Sequence, residues 1–180
     1  LAYLIGNFRA SSIPGIDGSK VVTSSSASAM PSAGSVDKAK VGELMGKLAA
    51  NPQDPSVLWD LGNTYFTGGD FAGALKFYQM LVKVTPKDDS AWIAVGAASF
   101  NLADDATAKT AWEKAAKLNP KNAESHYNLG FWYLAQNPAQ EAKAKAEWQK
   151  VIDIDPKSEM ATNVKQHLDS LATASPTPTK

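Results

Sequence analysis

Residues 58–65 read Leu58-Trp59-Asp60-Leu61-Gly62-Asn63-Thr64-Tyr65. Leu58, Leu61, Gly62 and Tyr65 fall at i, i+3, i+4 and i+7, which is one stripe of an α-helix. A matching stripe, Ala74, Tyr78 and Leu81, follows on the next helical stretch. Small Gly62 and Ala74 let two helix backbones approach, and the large aromatic side chains fill the space beside them. Pro86 closes the pair, because proline cannot continue a helix.

The same arrangement returns twice. Gly62, Gly96 and Gly130 stand 34 apart, as do Ala74 and Ala108, Tyr78 and Trp112, Leu81 and Ala115, and Pro86 and Pro120. The third copy resumes at Ala144, Trp148, Val151 and Pro156, each 36 after its counterpart, so two residues are inserted between Leu134 and Ala144. Asp70 and Asp104 are placed to cap the second helix of their repeats. In the third copy Asn137 is placed to cap, with Pro138 at the first helical position.

The repeats span about 55–88, 89–122 and 123–158. A helix precedes them, with Val41, Leu44, Met45 and Leu48 as its apolar stripe. A terminal helix over 159–172 follows, with Ala161, Val164, Leu168 and Leu171 inward and Lys165, Gln166 and Asp169 outward. Such end units give a stack of repeats its polar outer faces. The folded region is thus 37–172. Residues 1–36 read as an amino-terminal arm and a Ser/Ala-rich linker (Thr23 to Ser35), which cannot bury enough apolar surface to offset chain entropy. Residues 173–180, with Pro176 and Pro178, read as a disordered tail.

The pattern Leu58, Leu61-Gly62, Tyr65, Ala74, Tyr78, Pro86 resembles the tetratricopeptide repeat. So do Trp92, Val95-Gly96, Ser99, Ala108, Trp112, Pro120 and His126, Leu129-Gly130, Tyr133, Ala144, Trp148, Pro156. The resemblance covers roughly residues 55–158. It implies an all-α solenoid of three helix pairs with flanking helices. It also implies that a second stripe along the first helix of each repeat lines a concave groove. That stripe is Trp59, Asn63 and Phe66, then Ile93, Ala97 and Phe100, then Tyr127, Phe131 and Leu134. Mostly apolar or aromatic, it suits an amphipathic helix or an extended apolar peptide. Some members of the family bind acidic carboxy-terminal chaperone tails. Asn63 fits that pattern, but Trp59 and Tyr127 stand at basic places and no groove Arg exists, so that specificity is not expected. The other reading of the stripe is that the amino-terminal segment covers it, or that it fills a tight superhelix.

Composition narrows the function classes. The 180 residues carry 18 Lys plus Arg and 18 Asp plus Glu. With no basic excess, a nucleic-acid partner is not expected. Arg9 is the sole arginine, so bidentate guanidinium clamps are missing from the folded region. The absence of cysteine removes disulfides, thiolate metal sites and thiol nucleophiles. His126 occupies the place of Leu58 and Trp92 and reads as a packed core histidine, while His167 reads as solvated. Asp153 and Asp155 lack the spacing of a calcium loop, and Gly68-Gly69-Asp70 is a turn with no phosphate-loop Lys after it. No metal, cofactor, small-molecule substrate or catalytic constellation is expected.

The expected function is a scaffold that docks a partner polypeptide, with a permanent structural subunit of a membrane complex as the alternative. The run Leu1-Ala2-Tyr3-Leu4-Ile5-Gly6-Asn7-Phe8 is shorter than the ~20 residues of a membrane span. It reads as the end of a membrane anchor or as a segment that packs on the protein itself. With the linker and the cysteine-free repeats, it resembles bacterial membrane-tethered repeat proteins facing outside the cytoplasm; a cytoplasmic place is the alternative.

Overall fold

The computed structural model describes residues 35–174. The expected arm, most of the linker and the segment 175–180 lie outside the described residues. The described ones fold into eight helices with no strand among them. These are α1 (Lys38–Ala50), α2 (Pro55–Thr67), α3 (Phe71–Val84), α4 (Asp89–Asn101), α5 (Asp105–Leu118), α6 (Ala123–Leu134), α7 (Glu141–Ile154) and α8 (Glu159–Ala174). They belong to two compact units, residues 35–118 and residues 119–174.

The helix starts follow from short polar side chains that take up otherwise unpaired N–H groups. Asp37 accepts from Lys40 N at 3.0 Å, and Asp54 from Ser56 N at 3.0 Å. Asp70 accepts from Gly73 N at 2.8 Å, Asp88 from Ser90 N at 3.0 Å and Asp104 from Thr107 N at 3.1 Å. Asn122 accepts from Glu124 N at 3.0 Å, and Ser158 Oγ from Ala161 N at 3.1 Å. Asp70 and Asp104 therefore cap as the repeat spacing implied. Pro86, Pro120 and Pro156 each stand two residues past the end of α3, α5 and α7.

The third second-helix departs from expectation. Asn137 does not cap it and Pro138 is not its first residue. The two-residue insertion delays α7 to Glu141, and Gln140 takes the cap position without a side-chain bond to the backbone of the first turn. The terminal helix runs two residues further than expected, through Thr173 and Ala174.

In the first unit α2 packs on α3, α3 on α4 and α4 on α5, with α1 against α2. Leu58, Leu61, Ala74 and Tyr78 are buried there, as are Ala108, Trp112 and Ala115. From Ala91 to Phe100 every α4 residue but Trp92 is buried, as expected of a helix that is apolar nearly all round. In the second unit α6 and α7 pair and α8 packs on both. Its core joins Tyr127, Phe131, Leu134, Ala144, Trp148 and Val151 to Val164 and Leu171 of α8.

One contact recurs in all three helix pairs. A Cβ built at Gly62 would overlap the ring of Tyr78, one at Gly96 the indole of Trp112, and one at Gly130 the indole of Trp148. The missing side chain at the repeat glycine is the notch into which the second helix's aromatic fits.

Candidate functional site

The second stripe of the first helices divides between accessible and internal side chains. On α2, Trp59 is half-buried, its ring 5.9 Å from that of Tyr78. Asn63 is half-buried too, and its Oδ1 accepts the Tyr78 hydroxyl at 2.8 Å. Burial pushes the Tyr78 phenol well above its ordinary pKa, so it remains a donor. Phe66 is buried, edge-on to Phe71 with ring centroids 5.1 Å apart.

On α4 the stripe is internal. Ile93, Ala97 and Phe100 are each 3% exposed or less. Phe100 lies 5.6 Å from the Trp112 ring, and the Ile93 carbonyl accepts the Trp112 indole N–H at 3.3 Å. In the second unit Tyr127, Phe131 and Leu134 are core residues. Phe131 sits 4.9 Å from Trp148 and 5.0 Å from His167, and the Tyr127 carbonyl accepts the Trp148 indole N–H at 3.1 Å.

The stripe therefore divides between the two readings open to it, a groove lining and an internal filling. Phe66, Ile93, Phe100, Tyr127, Phe131 and Leu134 are buried, and Trp59 and Asn63 keep partly accessible surface. The reason is geometric. The stripe starts beside the repeat glycine, so its side chains border the notch and pack on the aromatic that fills it. In the second unit α8 adds a further cover. Sequence periodicity distinguishes two faces of a helix but not how far a neighbouring ring reaches round it.

The accessible part of α2 is an arc. In helical projection it runs from Trp59 through Asn63, Ser56 and Thr67 to Asp60, with Ser56, Thr67 and Asp60 exposed. Asn63 carries its orientation from Tyr78. With Oδ1 occupied, its amide N–H groups remain as donors. Nothing in the sequence reveals that pairing, because positions 63 and 78 are linked only by the fold. Repeats two and three use a different solution, an indole N–H to a backbone carbonyl.

His126 is a packed core histidine. Its Nδ1 lies 2.7 Å from Glu147 Oε2 and its Nε2 3.1 Å from the Pro120 carbonyl. Glu147 also accepts from Lys150 Nζ at 2.9 Å. Burial alone would raise the Glu147 carboxyl, but the bonds from His126 and Lys150 outweigh it and hold the group below its ordinary range. His167, expected in solvent, is corrected: it is half-buried and stacked on Trp148 with ring centroids 5.5 Å apart and planes 26° from parallel. Burial depresses its pKa. Among the described residues no three His, Asp or Glu side chains gather as a metal site requires.

Six of the eight described helices form three glycine-notched pairs. A tetratricopeptide-repeat profile matches residues 48–90, and a TPR-repeat profile matches residues 105–137. The fold is that of tetratricopeptide repeats. Among solved structures, MamA superposes with a TM-score of 0.62 at 23% identity, over 74% of this chain and 81% of that one. The first TPR domain of Spaghetti (RPAP3), bound to the HSP90 peptide SRMEEVD, gives 0.59 at 25% identity over 67% of this chain and 94% of that one. The peroxisomal targeting signal receptors of Candida glabrata and Saccharomyces cerevisiae are 29% identical over 79 and 76 residues. The matches cover 44% and 42% of this chain but only 13% and 12% of the receptors, so the chain spans a small part of those relatives. The TPR repeats support protein–protein interaction as the function class.

Proposed function

We propose that this chain is a non-catalytic docking module that holds a partner polypeptide on the first-helix face of its first unit, centred on Trp59. The observation that carries the reading is Trp59 itself. Most of the aromatic and large aliphatic stripe residues are buried in the repeats, while this indole stays partly exposed beside a pre-oriented Asn63. Partly exposed tryptophans flanked by polar groups are typical anchors of protein interfaces. The RPAP3 domain supports a peptide as the kind of ligand, although α2 and α4 here lack the cations that an acidic sequence such as SRMEEVD would need. We place the module near a membrane on its extracytoplasmic side; the support is the apolar run Leu1–Phe8 and the Ser/Ala-rich segment after it.

The test is affinity capture from native membranes with the full chain as bait. A partner retained by the parent and lost with Trp59→Ser supports the reading. Equal retention by both places the contact elsewhere. A partner that co-purifies at fixed stoichiometry and never dissociates would make the chain a permanent subunit instead.

A further inference from the structure

Charge in the first unit is sorted by helix. α2 and α4 carry no lysine or arginine. Their charged residues are Asp60 and Asp89, and their caps are Asp54 and Asp88. α3, which packs on both, carries Lys76 and Lys83 and no acid. α5 carries Lys109, Lys114 and Lys117 beside Asp105 and Glu113. On these four helices the cations thus stand on the second helices, with Lys87 in the turn between α3 and α4.

Asp60 forms no ion pair among the described residues. Lys47 on α1 is near enough to feel its field, but Lys47 is held by Glu43 at 2.6 Å on its own helix. The accessible arc therefore presents one partly exposed indole, a carboxylate at its border, two hydroxyls (Ser56 and Thr67) and the amide donors of Asn63. Thr67 Oγ1 is already committed to the Asn63 carbonyl at 2.8 Å.

We propose, resting on the docking reading above, that the segment this face takes is apolar and cationic: a peptide with lysine or arginine beside an aromatic or aliphatic anchor. The anchor packs on Trp59, and a backbone carbonyl of the peptide accepts from Asn63. The cation gains from Asp60 and from the negative face of the Trp59 ring. A carboxylate-rich peptide meets the same acid with no cation in α2 or α4 to offset it, so the arrangement also rejects the wrong charge.

The experiment is selection of a random twelve-residue displayed peptide library on the immobilised full chain, with the Trp59→Ser chain as the subtracting control. The expected result is enrichment of sequences combining Lys or Arg with Phe, Trp, Leu or Met. Synthetic copies should lose about two- to fivefold in affinity to Asp60→Lys, the range of one exposed ion pair, and weaken with added salt. Enrichment of Asp- and Glu-rich sequences, or binding indifferent to Asp60→Lys, overturns the cationic specificity and leaves the docking reading standing. No enrichment on the parent over Trp59→Ser overturns the docking reading as well.

Discussion

Gly96 lies beneath the indole of Trp112, close enough that a Cβ at position 96 would overlap Nε1 and Cδ1 of the ring. The ring has nowhere to go: Trp112 is fully buried and its N–H is held by the Ile93 carbonyl at 3.3 Å. Gly96→Ala should therefore destabilise by about 1–3 kcal/mol through overpacking, and Gly96→Leu by more. Circular-dichroism melting checks it. Gly46→Ala on α1 is the control, because a Cβ there meets nothing within 4 Å. It should leave the melting temperature unchanged or raise it by the gain in helix propensity. Similar losses for Gly46→Ala and Gly96→Ala would mean that helical flexibility, not the notch, explains the glycine.

The notch was legible because it is written twice in each repeat, once as a glycine and once as an aromatic at fixed distance. Caps at Asp70 and Asp104 were legible for the same reason. What was not legible depends on how far side chains reach across the fold. Phe100 and Phe131 have the pattern of a surface stripe, yet Trp112 and Trp148 stand against them. His167 has Gln166 beside it and looks solvated, yet the turn of α8 brings it onto Trp148. The insertion before α7 was visible in the spacing, but the position of the helix start after it was not. A polar pair such as His126 and Glu147, 21 residues apart, leaves no local trace at all.

Ala103 holds a left-handed backbone conformation, with φ of 62°. Its counterpart one repeat earlier is Gly69, at φ of 80°. The turn between first and second helix requires this conformation, and alanine adopts it only at a cost of roughly 1–2 kcal/mol. Ala103→Gly relieves that strain while adding freedom to the unfolded chain, which offsets part of the gain. The net expectation is stabilisation by about 0.5–1 kcal/mol, read by urea unfolding. A loss of stability would show that the Ala103 methyl makes a contact worth more than the strain.

His167 links the second unit to pH. Burial against Trp148 and Phe131 lowers its pKa below the ordinary 6.5. The unfolded chain then binds more protons than the folded one in the interval between the two values, so stability rises with pH there. Stability is present above the unfolded value and is lost as pH falls through and below it. Lowering pH from about 7.5 to about 5.5 should reduce the melting temperature. Glu147, also depressed, acts in the same direction but from its ordinary 4.5 downward, so its loss comes at lower pH. His167→Phe keeps an aromatic on Trp148 without a titrating group. It should remove the upper part of the pH dependence, and an unchanged profile would assign that part to another group.

Trp59 and Phe100 began as members of one proposed binding stripe, and the structure separates them. Phe100 is buried against Trp112, whereas Trp59 is partly exposed with its ring 5.9 Å from Tyr78. Phe100→Ser removes a core side chain and leaves a cavity with a polar group in it. It should lower stability by about 3 kcal/mol or more, whatever it does to binding. Trp59→Ser gives up a partial contact with Tyr78, while the Tyr78 ring stays in the Gly62 notch and its hydroxyl stays on Asn63. Its effect on stability should be smaller, about 1 kcal/mol, with the helical signal unchanged and partner capture abolished. Melting curves and capture measured on the same preparations separate the two roles. If Trp59→Ser melts as early as Phe100→Ser, Trp59 is a structural residue. If it stays folded and still captures its partner, the docking face lies outside the α2 arc.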